Sequence, residues 1–405
     1  MTPAADPKVP GLDGIRGLAA LYVVVHHCWL LSFPGYPANT GPGWLGWLTH
    51  GRLAVVAFIV LSGFSLALSP ARHGWHLGGT LRFARRRARR ILPPYWAALA
   101  LSLLIASAVP ALPMSAPPTV RSVVVYGLLL QDVVAAPAPN GAFWSIAVEA
   151  GLYLVFPVLV LLRRRAGAAV TLAVVAVPVV VLGLVCPSVS ASAKATGYVL
   201  ELAPLFTLGA LAAGIVTARD RIRRLPWCGP AALAAAPVLL LIAVRGPVWT
   251  VRHYFWIDLA AGPAIAMFLA AVATRRPAAL SRLLDSGPLR ALGDFSFSLY
   301  LIHLPIAALV SRQLVAPRIA AGLPAFWVTL ALAVPACLVA ARVFAAVVEA
   351  PFRSARPSPR RAHRRSYQDM SRECSGIPQS GDVDIRWPPI VGANGSTHCG
   401  NKQRI

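Results

Sequence analysis

Long apolar stretches, separated by short polar loops, dominate the pattern of this 405-residue chain. A helix needs about 20 apolar residues to cross a hydrocarbon core about 30 Å thick. Segments of roughly this length fall at about 13–33, 50–69, 91–110, 145–162, 167–186, 197–217, 230–245, 254–274, 295–314 and 323–349. The pattern therefore predicts an all-α fold, a polytopic membrane bundle with about ten transmembrane helices.

One further apolar segment, 119–135, is harder to place because it contains Arg121 and Asp132. Lys and Arg concentrate in cytoplasmic loops, so the arginine runs decide between the possible topologies. Without this segment, both termini lie in the cytoplasm and nearly every arginine run falls on that side. Counting it as a crossing would move the runs at 163–165 and 219–224 outside. We therefore predict that 119–135 is a re-entrant or packed segment, which is tolerated where protein covers it.

Composition and charge agree with a membrane protein. Of the residues, 57% are apolar and only 13% are charged, whereas about a quarter are charged in a soluble domain; the mean hydropathy is +0.65. The formal charge is +24, but the arginines collect between apolar segments, so we expect no nucleic-acid partner. No small-residue cleavage site follows the first apolar stretch, which is expected to remain as the first span.

The cysteines and the C-terminal end limit the domain organisation. Six cysteines are scattered without a CxxC pair, so the sequence predicts neither a metal site nor a disulfide framework. After Pro351 the chain becomes basic and then polar, without a helical or strand period. We predict a transmembrane domain at 1–353 and a disordered cytoplasmic tail at 354–405.

The first span carries the most informative polar residues, within LDGIRGLAALYVVVHHCW. Asp13 and Arg16 are three residues apart on one helix face and can neutralise each other. The eleven steps from Arg16 to His27 turn roughly 1100°, three turns plus about 20°, and rise roughly 16 Å. His27 thus shares the face of Arg16 near the midplane, where an ionisable ring is costly. It is either a functional group or a buried packing residue, and its neighbour His26 suits the packing role better.

Seven arginines precede the third span, mostly within LRFARRRARRILPPYW. Arg87 and Arg90 are three residues apart and project from one face directly before that span. Guanidinium groups match phosphate oxygens, so this pair is a candidate clamp for a cytoplasmic cofactor with several phosphates, such as acyl-CoA. Topology and contact with anionic lipids better explain the neighbouring arginines Arg82, Arg85, Arg86 and Arg89.

Two further spans place polar groups in apolar surroundings. Ser145 and Glu149 are four residues apart on one helix face, and Tyr153 continues that face. A helix cap explains Ser145, but it does not explain an acid within an apolar helix, so Glu149 is a candidate functional residue. His303 lies about 12 Å inside its span and is a structural or supporting histidine. The absence of GxSxG, P-loop and HExxH motifs disfavours serine hydrolysis and nucleotide-driven pumping.

Six blocks, in order, carry a resemblance to a known family. They are LDGIRGLAAL followed by His27, FIVLSGF at 58–64, RARRILP at 87–93, WSIAVEAGLYLVFP at 144–157, LGDFSFSLYLIHLP at 292–305 and VVEAPFR at 347–353. Over residues 8–353 the chain resembles the membrane-bound acyltransferase family 3, which includes bacterial surface-glycan O-acetyltransferases and macrolide O-acyltransferases. Ala150 and Gly151 depart from the family pattern, in which polar residues often follow the glutamate.

The resemblance implies a multi-pass O-acyltransferase of the bacterial plasma membrane. It would move an acyl group, with acetyl expected, from cytoplasmic acyl-CoA to a hydroxyl of a surface glycan, a glycolipid or a glycosylated metabolite, without a permanently bound cofactor. Arg16, Arg87 and Arg90 would bind the donor. His27 would act as general base or be acylated transiently, and Glu149 would orient the imidazole or hold the acceptor. The supporting residues would be Asp13, Ser145, Tyr153 and His303.

These roles imply a layered geometry across the bilayer. The arginine clamp is expected on the cytoplasmic side, His27 at mid-depth and Glu149 toward the outside, with the thioester within reach of His27. A proton-coupled transporter or flippase of a glycosidic or lipid-linked substrate is the alternative, since His27 and Glu149 could then relay protons. A receptor-like scaffold would not explain ionisable groups inside the membrane.

Overall fold

A computed structural model describes residues 9–38, 41–186 and 199–352. Every regular element in those ranges is helical. In chain order the α-helices of seven or more residues are α1 (Leu12–Ser32), α2 (Arg52–Arg72), α3 (Thr80–Ala108), α4 (Val120–Gly127), α5 (Trp144–Val185), α6 (Leu202–Ala212), α7 (Cys228–Arg252), α8 (Tyr254–Ala273), α9 (Ala278–Leu284), α10 (Gly287–Asp294), α11 (Ser296–Val310) and α12 (Leu323–Phe344). The tail predicted at 354–405 lies outside the described residues.

Eight helices in this part of the chain are long and apolar enough to cross a membrane. One of them, α5, has 42 residues and would extend about 63 Å, twice the thickness of a hydrocarbon core. Gly167 divides it with a left-handed φ of 87°, which glycine adopts without steric cost. The predicted all-α membrane bundle is confirmed. Ten crossings would require both arms of α5 and the shorter apolar helix Leu202–Thr217 to span, and that number stays a prediction.

The segment 119–135 forms only the short helix α4, which has eight residues and cannot span a bilayer. Val125 and Tyr126 on α4 are buried. The α4 helix lies beside α3, because the Tyr95 hydroxyl donates a hydrogen bond of 2.8 Å to the carbonyl of Tyr126. One side of α4 therefore packs against the bundle, whereas Val120 and Leu128 are exposed, and the prediction of a re-entrant or packed segment stays a prediction.

Two large apolar clusters form the core, and a small third one lies around Val238 and Ile257. The first joins α1, α3, α11 and α12 around side chains such as Trp29, Tyr95 and Phe326. The second joins α2, α5, α6 and α8 around Phe64 and Phe206. Polar residues from α1, α2, α3, α5 and α11 meet between the two clusters, and they line the cavity described next.

Candidate active site

A cavity of about 120 Å³ lies between the two core clusters. Helices α1 and α3 contribute its three arginines, Arg16, Arg87 and Arg90. Helix α5 contributes the other predicted polar residues, which are Ser145, Glu149 and Tyr153. The structure thus brings together six of the side chains singled out from the sequence, although they come from three separate helices.

The arginine side of the cavity is only partly neutralised. Arg16 donates a hydrogen bond of 2.7 Å to Asp13, three residues earlier on α1, as the spacing predicted. The Arg87 guanidinium lies over the ring of Tyr153, 5.9 Å from its centroid, which is within the range of a cation–π contact. Among the described residues, neither Arg87 nor Arg90 forms an ion pair. Positive charge therefore remains available to an anion in the cavity.

Glu149 lines the same cavity and is held from two sides. Its Oε1 accepts a hydrogen bond of 2.6 Å from the hydroxyl of Ser62 on α2. The same oxygen accepts a second hydrogen bond from the hydroxyl of Tyr153, one turn along α5. Two donors on one oxygen stabilise an ionised carboxylate and fix its orientation. Sequence reasoning named Tyr153 but missed Ser62, which lies within the FIVLSGF block.

His27 and His303 form a pair beside the cavity rather than within it. The Nδ1 of His303 lies 2.8 Å from the carbonyl of Tyr300. A carbonyl only accepts, so this nitrogen carries the proton and the Nε2 of His303 is an acceptor. His27 Nδ1 lies 3.1 Å from that Nε2 and 2.8 Å from the carbonyl of Val23, so it carries a proton as well. The Nε2 of a neutral His27 is left with its lone pair, as a base requires.

Tyr300 is the link between the histidine pair and the cavity. Its ring lines the cavity and lies 5.7 Å from the ring of His303, between centroids. Its hydroxyl lies 2.6 Å from the hydroxyl of Ser145, which explains the position of that serine at the start of α5. Neither His27 nor His303 lines the cavity. The expectation that His27 directly faces a group bound at Arg87 therefore does not hold for this conformation.

The expected layering also changes, because Glu149 lines the same cavity as the arginines instead of lying on the far side of His27. The position of Glu149 follows from where α5 begins. This helix begins at Trp144 inside the bundle, where Ser145 meets Tyr300 and Glu149 meets Ser62. His26, by contrast, is buried and its Nδ1 lies 2.7 Å from the carbonyl of Leu48, so its predicted packing role is confirmed.

A buried ionic group around Arg52 was missed by sequence reasoning. Arg52, the first residue of α2, donates hydrogen bonds of 2.6 Å to Asp258 and 2.7 Å to Glu201. Its guanidinium also lies 5.3 Å from the Trp144 ring centroid and therefore ties α5 to α2. The only sequence signal was that each of the three charges stands at or near the end of an apolar segment. Glu201 and Asp258 are 149 and 206 residues from Arg52 in sequence, so their pairing with Arg52 is a property of the fold.

These features define the class of the protein. It is a multi-pass membrane protein whose helices form a cavity lined by arginines and by a hydrogen-bonded carboxylate. A family profile described as an acyltransferase domain matches residues 9–342. The chain belongs to this acyltransferase family and is an enzyme that transfers acyl groups, which confirms the resemblance and favours the enzyme over a transporter.

Individual relatives agree with this assignment. Acyltransferase MdmB of Streptomyces mycarofaciens is 30% identical over 73% of this chain and 78% of its own length. Putative peptidoglycan O-acetyltransferase YrhL of Bacillus subtilis is 27% identical over 82% of this chain and 53% of its own length. O-acetyltransferase OatA of Staphylococcus aureus is 25% identical over 77% of this chain and 52% of its own length. The chain thus spans about half the length of the last two relatives. No solved structure matches it.

Proposed function

We propose that this enzyme transfers an acetyl group from acetyl-CoA to a hydroxyl of a carbohydrate-containing acceptor. The observation that carries the proposal is the cavity that Arg16, Arg87 and Arg90 line together with Glu149. The relatives named O-acetyltransferases support an oxygen acceptor, and one of them is named for peptidoglycan. Together they support O-acetylation of a surface glycan, a glycolipid or a glycosylated metabolite.

Two properties of the cavity support a short acyl donor with phosphates. Arg87 and Arg90 have no ion-pair partner among the described side chains, and guanidinium groups bind phosphate oxygens through paired N–H donors. The space of about 120 Å³ is smaller than a cavity of about 150 Å³, which holds one benzene molecule. Such a space is large enough for an acetyl group.

His27 is the proposed general base. Its Nε2 has a free lone pair because its Nδ1 donates toward His303 and Val23. A base of this kind takes the proton of the acceptor hydroxyl as the oxygen bonds to the thioester carbon, and it contributes about 10²- to 10⁴-fold in rate. The carbon–sulfur bond then breaks, and the proton passes to the departing CoA thiolate. Transient acylation of His27 is the alternative route to the same product.

Tyr300 must move for this reaction, because its ring lies between the cavity and the histidine pair. Rotation of that side chain would join His27 to the donor site and release Ser145. Glu149, fixed by Ser62 and Tyr153, would then accept a hydrogen bond from the acceptor or from the imidazole. The arginine runs support a donor side in the cytoplasm of a bacterial cell, with both termini on that side.

Radiolabelled acetyl-CoA provides the direct test of the reaction. Purified enzyme in lipid nanodiscs, incubated with labelled acetyl-CoA and a panel of glycan acceptors, should transfer label to one acceptor class. His27→Ala should abolish transfer, because it removes the proposed general base. His26→Ala is a matched control at the adjacent position. It should lower the thermal stability of the protein instead of abolishing acetyl transfer. Label transfer that survives His27→Ala would overturn the assignment of the base.

The donor clamp is tested by charge reversal at Arg87 and, as a control, at the nearby Arg89. Arg87→Glu should raise the KM for acetyl-CoA at least tenfold, since a charge-assisted contact is worth about 1.5–3 kcal/mol. Arg89→Glu introduces the same charge change on an exposed position that does not line the cavity, so its KM should stay unchanged. Equal effects of the two substitutions would assign these arginines to lipid contact or topology instead.

A further inference from the structure

A second pocket lies apart from the candidate active site. It is open on one side and holds about 480 Å³, within the range of about 300–1,000 Å³ that is typical of small-molecule sites. Its walls come from the last turns of α6, the second half of α8 and the chain that follows α6. They are mainly apolar and include Leu208, Leu211, Ile222 and Met267. No residue proposed for acyl transfer lines this pocket.

Among the residues that the structure describes, Arg163 on α5 supplies the only charged side chain that lines the pocket. Its guanidinium lies over the ring of Trp75, 4.7 Å from the ring centroid. Its Nε atom is buried and has no hydrogen-bond partner among the described residues. A buried N–H donor without an acceptor is unfavourable, and an anion in the pocket would satisfy it.

The surroundings of the pocket indicate its depth in the membrane. Two tryptophans, Trp75 and Trp227, line it, and tryptophan is enriched at the level of the lipid headgroups. Arg164 and Arg165 continue the basic run and are exposed. The arginines of the segment 219–224 are also exposed and follow α6, which forms one wall. The pocket therefore lies at the arginine-rich end of the bundle, where anionic headgroups accumulate next to basic protein segments.

We infer that this pocket binds an anionic glycerophospholipid. The phosphate accepts hydrogen bonds from the Arg163 guanidinium, and one acyl chain fills the apolar part beside Leu211 and Met267. Both the charge and the apolar lining of the pocket favour an anionic lipid. A free phosphate would leave the apolar walls in water, and a zwitterionic lipid would leave part of the positive charge unbalanced. The site is independent of acyl transfer and lies outside the reacting cavity.

Native mass spectrometry of the purified full chain provides the test. The probes are phosphatidylglycerol and phosphatidylcholine with identical acyl chains, and glycerol 3-phosphate as the headgroup without chains. One phosphatidylglycerol should bind at least tenfold more tightly than phosphatidylcholine, and glycerol 3-phosphate should not bind at the same concentrations. Arg163→Gln should remove this preference, whereas Arg163→Lys should keep most of it because the charge remains.

Arg164→Gln is the matched control, since it removes the same charge from the next, exposed position. It should leave the preference for phosphatidylglycerol intact. Leu211→Trp provides a second variant, because an indole in the apolar part should displace the acyl chain and weaken the binding of both lipids. Equal losses for Arg163→Gln and Arg164→Gln would overturn the proposal in favour of unspecific surface charge. Binding of glycerol 3-phosphate alone would overturn it in favour of a phosphate site.

Discussion

The hydrogen bond from Ser62 to Glu149 allows a sharp prediction, because α2 offers a matched control three residues away. Ser62 donates a bond of 2.6 Å to the carboxylate. Ser65 lines the same cavity, but its buried hydroxyl has no partner among the described residues. Alanine at either position removes one hydroxyl from the same space. Only the Ser62 substitution removes a donor from Glu149.

The expected effect follows from the strength of a hydrogen bond to a charged group, about 1.5–3 kcal/mol. If Glu149 must stay ionised and oriented in the transition state, Ser62→Ala should lower kcat/KM for acetyl transfer about 10- to 160-fold. Ser65→Ala should change it less than about threefold, since no hydrogen bond to a charged group is lost. Ser62→Thr keeps the hydroxyl and should retain more activity than alanine.

The assay is initial-rate transfer from labelled acetyl-CoA, with the thermal unfolding temperature of each variant measured in parallel. A fall in kcat/KM without a fall in unfolding temperature assigns the effect to the site. If Ser62→Ala and Ser65→Ala lose the same activity, the hydroxyl acts through general cavity packing and the reasoning is refuted. An unchanged rate for Ser62→Ala would likewise remove Ser62 from the site.

Two further predictions concern stability. A Cβ at Gly209 would lie 2.0 Å from the Val60 carbonyl oxygen, so Gly209→Ala must push α6 away from α2 and should lower the free energy of unfolding by about 1–3 kcal/mol. Gly151→Ala is the control, because its added Cβ meets no atom within 4 Å, and it should be neutral or stabilising. Similar unfolding temperatures for the two variants would contradict this packing. Burial raises the pKa of Asp132 from 3.8 to about 7, so its stabilising contribution is fully present below pH 4 and is lost as the pH rises through 7. Asp132→Asn should therefore raise the unfolding temperature at pH 8 and leave it nearly unchanged at pH 3, whereas an equal gain at both values would show that the carboxyl does not titrate there.

Local features of this protein could be predicted from its sequence because they depend on spacing along one helix. The Asp13–Arg16 pair follows from a separation of three residues and is observed at 2.7 Å. The shared face of Glu149 and Tyr153 follows from a separation of four and is observed as a direct hydrogen bond. The apolar lengths predicted the bundle, and the ordered motifs predicted the family that the comparisons show.

Contacts between distant helices could not be predicted in this way. Ser62 and Glu149 are 87 residues apart, and His27 and His303 are 276 apart. No spacing rule relates them, because their distance depends on how whole helices pack. The same limit explains why Tyr300 was not expected between the histidines and the cavity, and why the partners of Arg52 were missed.

The sequence by itself determined that the chain is a helical membrane protein, which groups are costly inside the bilayer and which of them share a helix face. Only the tertiary structure decided that the arginines and Glu149 line one cavity while the two histidines pair beside it. The physical reason is that helix periodicity fixes directions within about one turn, whereas the meeting of five helices depends on side-chain packing across the whole bundle.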